Sequence, residues 1–356
     1  MTVLPAFKQA RVLVVGGAGF VGSNLVEHLL AADPIEVLIV DNLLSAERVN
    51  VPEHPAVRFI EGSIADDAIL AKIPSQMDYV FHLACYHGNQ SSIADPLADH
   101  QNNTITSLKL FNRLDTCKGL RKVVYAAAGC AVAKKTRDEP AATLEDAPIE
   151  LFHDSPYSIS KLIGEMYGNY FFRRSGLPFV KARFQNVYGP REILGAGRWR
   201  GTPHTVWRNV TPTFVFKSLH GEALPLINGG QDGRDFIYVG DLCRGLLRCA
   251  ALGEAGEAYN LATGVETRVF DLAATINKLT GNPTPPEVES PRDWDCSGRR
   301  YGEPTKSRQK LGFIADTNLE QGLSKTIDWT KINIALIKRC MAQHASHVPE
   351  VTRYTL

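Results

Sequence analysis

The sequence predicts an α/β protein, a doubly wound parallel sheet followed by a smaller, mainly C-terminal α/β unit. Short β-branched runs alternate with helical patterns, which is how a parallel sheet with both faces covered is written. A glycine-rich turn lies directly between the first run and the first helix. The chain has 356 residues, 44% of them hydrophobic and 22% charged, with a net charge of +1. At about 150 residues per domain this length suits two domains or one large fused unit. The composition excludes a wholly disordered chain, a collagen or a coiled coil. The near-zero net charge gives no electrostatic argument for nucleic acid or for an anionic membrane, so neither is expected as a partner.

The elements run as follows. Arg11 to Val15 is short, apolar and β-branched, as suits a strand buried on both faces. Ser23 to Leu30 places Leu25, Val26, Leu29 and Leu30 at helical spacing. Further strands are expected at 37–40, 57–60, 79–83, 122–126 and 180–183, with helices at 103–117 and 158–174. Beyond residue 185 the pattern changes. Gly, Pro, Trp and Arg crowd 189–213, a long loop of the kind that in compact enzymes is functional or disordered, and Trp199 and Trp207 argue against disorder. A turn at 229–233 precedes a strand-like 235–239, and 241–252, 269–280 and 319–341 read as helices. The expected domains are 1–185, receiving a later strand and helix from about 235–265, and 186–340. A loose polar tail is expected at 341–356.

Cysteines stand at 85, 117, 130, 243, 249, 296 and 340, an odd and scattered set without a CxxC pair. A disulfide framework and a metal site are therefore not expected. Met1 to Ala10 lacks the apolar stretch of a secretory signal, and no run reaches the ~20 apolar residues of a membrane helix. A reduced, cytoplasmic protein is the expectation.

Gly16, Gly19 and Gly22 form G-x-x-G-x-x-G between strand and helix. Such glycines permit a tight turn, backbone approach to a pyrophosphate and close helix–strand packing, while the helix N-terminal amides face the phosphates. Asp41 closes the second strand about 20 residues on, where a carboxylate accepts both ribose hydroxyls and repels a 2′-phosphate. A Rossmann-type site for NAD rather than NADP follows. It is expected to use Gly16, Gly19, Phe20, Val21, Gly22, Asp41, Asn42, Ser63, Ile64, Leu83, Ala84 and Ala126, together with the next pair.

That pair is Tyr157 and Lys161, a Y-x-x-x-K at the start of a helical segment, which puts both side chains on one face. A tyrosine of pKa about 10 is too weak a base at neutral pH unless a nearby ammonium stabilises its phenolate.

With these motifs the sequence resembles the extended short-chain dehydrogenases/reductases of the NAD-dependent epimerase/dehydratase family, and in particular the UDP-glucose/UDP-galactose 4-epimerases. The resemblance covers about residues 10–330. It rests on Gly16–Gly22, Asp41-Asn42, His82-Leu83-Ala84, Asn103, Ser155-Pro-Tyr157 to Lys161, Arg183 to Pro190, Arg234 to Val239 and Lys310 to Phe313. It implies that Asn186, Asn209, Arg234 and Arg292 meet the diphosphate of a nucleotide sugar. A planar guanidinium suits phosphate oxygens. In the long loop, Arg198, Trp199, Arg200 and His204 either clasp the nucleotide or pack. Arg300 falls near a position where the family tunes sugar size, and a cation there would favour an acidic sugar.

The pattern breaks at Ala128, where the family carries a Ser or Thr that bonds the sugar; alanine can neither donate nor accept. Cys130, two residues on, is either its functional replacement or packing. Residues 128–130 also lack the carboxylates that the family's 4,6-dehydratases and decarboxylases carry there. The expected activity is NAD-dependent C4 epimerisation of a UDP-hexose, an isomerase, through a transient 4-keto sugar. The alternatives are a GDP-mannose 3,5-epimerase-like reaction using Cys130, a nucleotide-sugar reductase or dehydratase, and a non-catalytic NAD-binding protein. The resemblance further implies a homodimer through the helices at 103–117 and 158–174.

Overall fold

A computed structural model describes residues 4–133, 136–149, 151–296 and 298–354, and of Cys130 only the backbone. The central sheet contains β1 (Arg11–Val15), β2 (Glu36–Asp41), β3 (Val57–Glu61), β4 (Tyr79–His82), β5 (Lys122–Ala128) and β6 (Phe179–Phe184). The strand Ala258–Leu261 completes it, in the order Ala258–Leu261, β6, β5, β4, β1, β2, β3. All its pairings are parallel. The near-continuous apolar runs are explained by packing on both faces. Val12, Val14, Val37 and Ile39 enter one core with Leu242 and Leu246, while Leu13, Val15, Leu38 and Val40 enter another with Phe111 and Tyr125.

From β1 the chain winds one way through β2 and β3, then returns and winds the other way through β4, β5 and β6. The reversal puts a crevice at the carboxyl ends of β1 and β4, which is where such sheets bind ligands.

The helix Pro156–Ser175 has clear local causes. Ser155 caps it by accepting from the Ser158 amide, Pro156 occupies its first turn, and Gly176 ends it in the left-handed region at φ 77°. A buried bidentate pair, Arg183 Nε and Nη2 to the Glu165 carboxylate at 2.9 and 2.8 Å, fixes it to β6. The pair fixes the orientation of the helix, although removing two charges from water offsets much of its energy.

Several expected elements differ. The strand-like 235–239 does not enter the large sheet: Phe236–Tyr238 pairs with Asn186–Tyr188 in a small parallel ribbon, and the helix Val239–Leu252 follows directly. The end of the irregular 189–213 stretch belongs to a helix, Val210–Leu219. The single helix expected at 319–341 is two, Leu319–Ile332 and Ile334–Ala342. They part at Asn333, whose amide side chain donates to the Trp329 carbonyl at 2.9 Å and so competes with the helical ladder.

The loose tail expected at 341–356 is corrected over its described residues. Pro349–Tyr354 forms a 3-10 turn, with Val351 and Tyr354 buried against a core that holds Val206, Phe216, Ile337 and Met341. Polar letters misled because the few large apolar residues described here, Met341, Val348, Val351 and Tyr354, are all buried. Among the described residues no helix is long and apolar enough to cross a membrane.

Candidate functional site

A cleft of about 1020 Å³ opens at the carboxyl ends of β1 and β4 and runs into the C-terminal unit. Its floor is the glycine turn. A side chain at Gly22 would place its Cβ 2.7 Å from the Gly17 Cα, and one at Gly16 would lie 2.7 Å from the Ala84 Cα, so both positions are closed to any larger residue. The helix Phe20–Leu30 starts from this turn with its free amides towards the cleft.

Asp41 ends β2 at the same rim. Its Oδ2 accepts from the Ala18 amide at 3.0 Å and its Oδ1 from the Leu43 amide at 2.9 Å. The Gly19 amide adds a third contact, and a carboxylate with about four acceptor positions keeps room for a ribose hydroxyl. Burial pushes its pKa up, partly offset by these amides. The glycine cradle and this held carboxylate fit the ribose and diphosphate of an unphosphorylated dinucleotide. Phe20, Val21, Asn42, Ser63, Ile64, Leu83, Ala84 and Ala126 line the same cleft.

Tyr157 and Lys161 line the same cleft, one helical turn apart. The Lys161 Nζ lies 4.7 Å from the centre of the Tyr125 ring. Burial opposes its charge, but Tyr125, Cys85 and Asp99 around it outweigh that and hold its pKa above the usual lysine value. Asp99 is itself fixed by a 2.7 Å bond from Asn103 Nδ2, which also reaches Ser160. That is the structural use of Asn103.

Sequence reasoning missed two neighbours of the tyrosine. Cys85 Sγ is hydrogen-bonded to the Tyr157 hydroxyl, and burial pushes this thiol's pKa up. The His87 ring meets the Tyr157 ring edge-on at 5.8 Å, and burial, with Arg200 nearby, holds its pKa down at about 3. Both residues follow β4. Their position at the carboxyl end of a central parallel strand was the available signal.

Ala128 ends β5 and lines the cleft, so the wall offers no hydroxyl at that point. Cys130 follows it in the turn of helix Gly129–Val132, and its side chain lies outside the described residues.

The substrate-side candidates converge further along. Asn186 begins the ribbon strand and donates its amide to the Asp235 carbonyl at 2.9 Å. Asn209 precedes the helix Val210–Leu219, and its Nδ2 donates to Glu192. Arg234 is buried and donates to the carbonyls of Gly233 and Gly298, with Asp232 3.6 Å away. Arg292 is exposed at the mouth, 5.9 Å from the Trp294 ring, and Arg300 is buried in the wall.

In the long loop, Arg200 and His204 line the cleft. Trp199 does not: it stacks on His347 at 4.3 Å, and Arg198 donates to the Asn42 carbonyl at 2.9 Å. Glu192 and Arg208, unforeseen from sequence, also line it. Burial raises the Glu192 pKa to about 7 and lowers the Arg208 pKa to about 9.

A switch-point cleft with a glycine turn, a carboxylate closing the second strand and a Tyr-Lys pair defines a dinucleotide-dependent enzyme of the Rossmann class. The model of the NAD dependent epimerase/dehydratase family matches residues 12–262. The chain belongs to that family, and its cofactor is NAD. It is 55% identical to the Bordetella bronchiseptica enzyme WbmF, solved with NAD+ and UDP; the likeness covers 97% of this chain and 99% of that one, with a TM-score of 0.87. It is 30% identical to the Thermotoga maritima UDP-glucose 4-epimerase solved with UDP-glucose, covering 91% and 99%, with a TM-score of 0.81. The Mycolicibacterium smegmatis UDP-glucose 4-epimerase is 31% identical over 90% of this chain and 98% of its own length.

Proposed function

We propose that this chain is a nucleotide-sugar epimerase acting at C4 of a UDP-linked hexose. What supports the reading is that one cleft is lined by three sets of groups: the glycine turn with Asp41, Tyr157 with Lys161, and Asn186, Asn209, Arg234 and Arg292.

When bound, NAD supplies the hydride acceptor and donor. The chain's own part is proton transfer and positioning. The Tyr157 oxygen takes the proton of the C4 hydroxyl and later returns it, with the Lys161 ammonium favouring the phenolate. Asn186, Asn209, Arg234 and Arg292 anchor the diphosphate, so the sugar is free to turn between the two transfers while the nucleotide stays fixed. Ala128 cannot bond the hexose, while the Cys85 sulfur is hydrogen-bonded to the Tyr157 hydroxyl. Ala128 and Gly129 carry no acid to expel a hydroxyl, which separates this site from dehydratase chemistry.

Purified protein incubated with UDP-glucose, UDP-galactose, UDP-glucuronate or GDP-mannose, and followed by NMR, tests the reading. Interconversion of a UDP-sugar with its C4 epimer is expected. Change confined to GDP-mannose would move the assignment to 3,5-epimerisation, and steady consumption of NADH would move it to reduction.

The same reading includes a homodimer. Ile159, Met166 and Tyr170 form one exposed stripe on the helix Pro156–Ser175, a face that a second copy would cover. Light scattering should give twice the chain mass, and Met166→Asp should halve it.

A further inference from the structure

Arg200 is 4% exposed and lines the cleft, yet its Nε and Nη2 find no partner among the described residues. Leaving donors of a buried cation unpaired is costly, so such a group is either a defect or half of a binding site. Its surroundings favour the second. The Nη1 is fixed by a 2.7 Å bond to Ser45 Oγ, in the loop after β2, and the guanidinium is close enough to Cys85, Tyr86 and His87, after β4, to shift their pKa values. Since β2 and β4 flank β1, these two loops are the two banks of the glycine turn.

The diphosphate of a dinucleotide lies over such a turn, at the helix N-terminus. We propose that Arg200 closes this place from above and donates Nε and Nη2 to the dinucleotide's diphosphate, making it a cofactor ligand supplied by the long loop. The inference rests on the NAD reading of the cleft and adds a residue to it.

The loop is fastened for that purpose. The Arg198 amide donates to the Leu44 carbonyl at 3.0 Å, the Gly197 amide to Glu47 Oε1 at 3.0 Å, and Arg208 Nη1 to the Ser45 carbonyl at 2.7 Å. At the loop's start Asn24 Nδ2 donates to the Pro190 carbonyl at 3.0 Å. A strap tied at these points to the first two strand–helix units holds Arg200 in place before any ligand arrives. His87 and His204, on either side, have pKa values held down at about 3 by burial, so they stay neutral and the arginine carries the charge.

The test compares wild type with Arg200→Gln and Arg200→Lys by calorimetric titration with NAD, ADP-ribose, adenosine and UDP. Charge-assisted bonds to phosphate predict that Arg200→Gln weakens NAD and ADP-ribose by roughly tenfold or more. Arg200→Lys should recover part of the loss, and adenosine and UDP should be unchanged. Unfolding temperatures of the three proteins within about 2 °C would show that the loss is local; if Arg200→Gln unfolds, Arg200→Lys alone decides, through its weakened NAD binding. Equal NAD affinity in all three overturns the proposal while leaving the NAD reading intact. Loss of UDP instead of NAD overturns it too, and assigns Arg200 to the substrate. Failure of wild type to bind NAD would overturn the underlying reading.

Discussion

The two walls over the cofactor end of the cleft are built in opposite ways. The glycine turn is local: seven consecutive residues, Gly16–Gly22, form it with backbone amides, and its tolerances are set by contacts within the turn and with Ile39 and Ala84. The strap of residues 197–208 is assembled at long range. Arg198, Arg200 and Arg208 reach Asn42 and Ser45, some 155 to 163 positions earlier in the chain, and Trp199 rests on His347 from the C-terminal segment. A wall made of backbone presents donors that a side-chain change cannot remove. A wall made of side chains can be altered one group at a time. Under the proposal for Arg200, the contacts common to any dinucleotide sit on the rigid turn, and the strap adds a particular one.

Single substitutions test this contrast. The largest effect is expected between the two walls, at Tyr157. Tyr157→Phe should lower turnover by about 10²–10⁴-fold, as loss of a general base does, with NAD affinity nearly unchanged by titration. A matching loss of NAD affinity would mean that binding and chemistry are not separable here.

Next comes the support behind the strap. Tyr354 is buried against Trp207, Phe216 and His220, so Tyr354→Ala should cost about 3 kcal/mol of stability in denaturant unfolding. It should also weaken NAD binding through the loosened strap. On the turn itself, Gly22→Ala should cost about 1–3 kcal/mol from forced overlap, and should weaken NAD and ADP-ribose together.

A smaller effect is readable in pH. Glu192 keeps its proton up to about pH 7 in the folded chain, whereas an ordinary glutamate loses it near 4.5. Between these values the folded state binds the extra proton, so this group's stabilisation is present at low pH and is lost as pH rises towards 7. Glu192→Gln should abolish that fall. The difference in unfolding temperature between variant and wild type should therefore change between pH 5 and pH 8, in favour of the variant at pH 8. The buried histidines act in both proteins and cancel in the difference. Smallest of all, His347→Ala should cost about 1 kcal/mol through the lost stack on Trp199, measured by the same unfolding.

Much of the site could be read from the letters because its parts are short-range. A β-branched run, three glycines at fixed spacing, an acid closing the next strand and a tyrosine four residues before a lysine each express a local rule. Cys130 drew attention because it lies two residues beyond the missing hydroxyl of Ala128. Cys85 did not, because nothing near it in sequence hints at Tyr157, 72 positions away.

By itself, then, the sequence determined the strand runs, the glycine turn, the cofactor class and the Tyr-Lys pair, since each depends on spacing within one element. Only the folded chain brought Cys85 and His87 beside the tyrosine, tied Arg200 to the loop after β2 and buried Val351 and Tyr354 in a core. The physical reason is that these depend on which distant surfaces bury one another, and no periodicity along the chain records that choice.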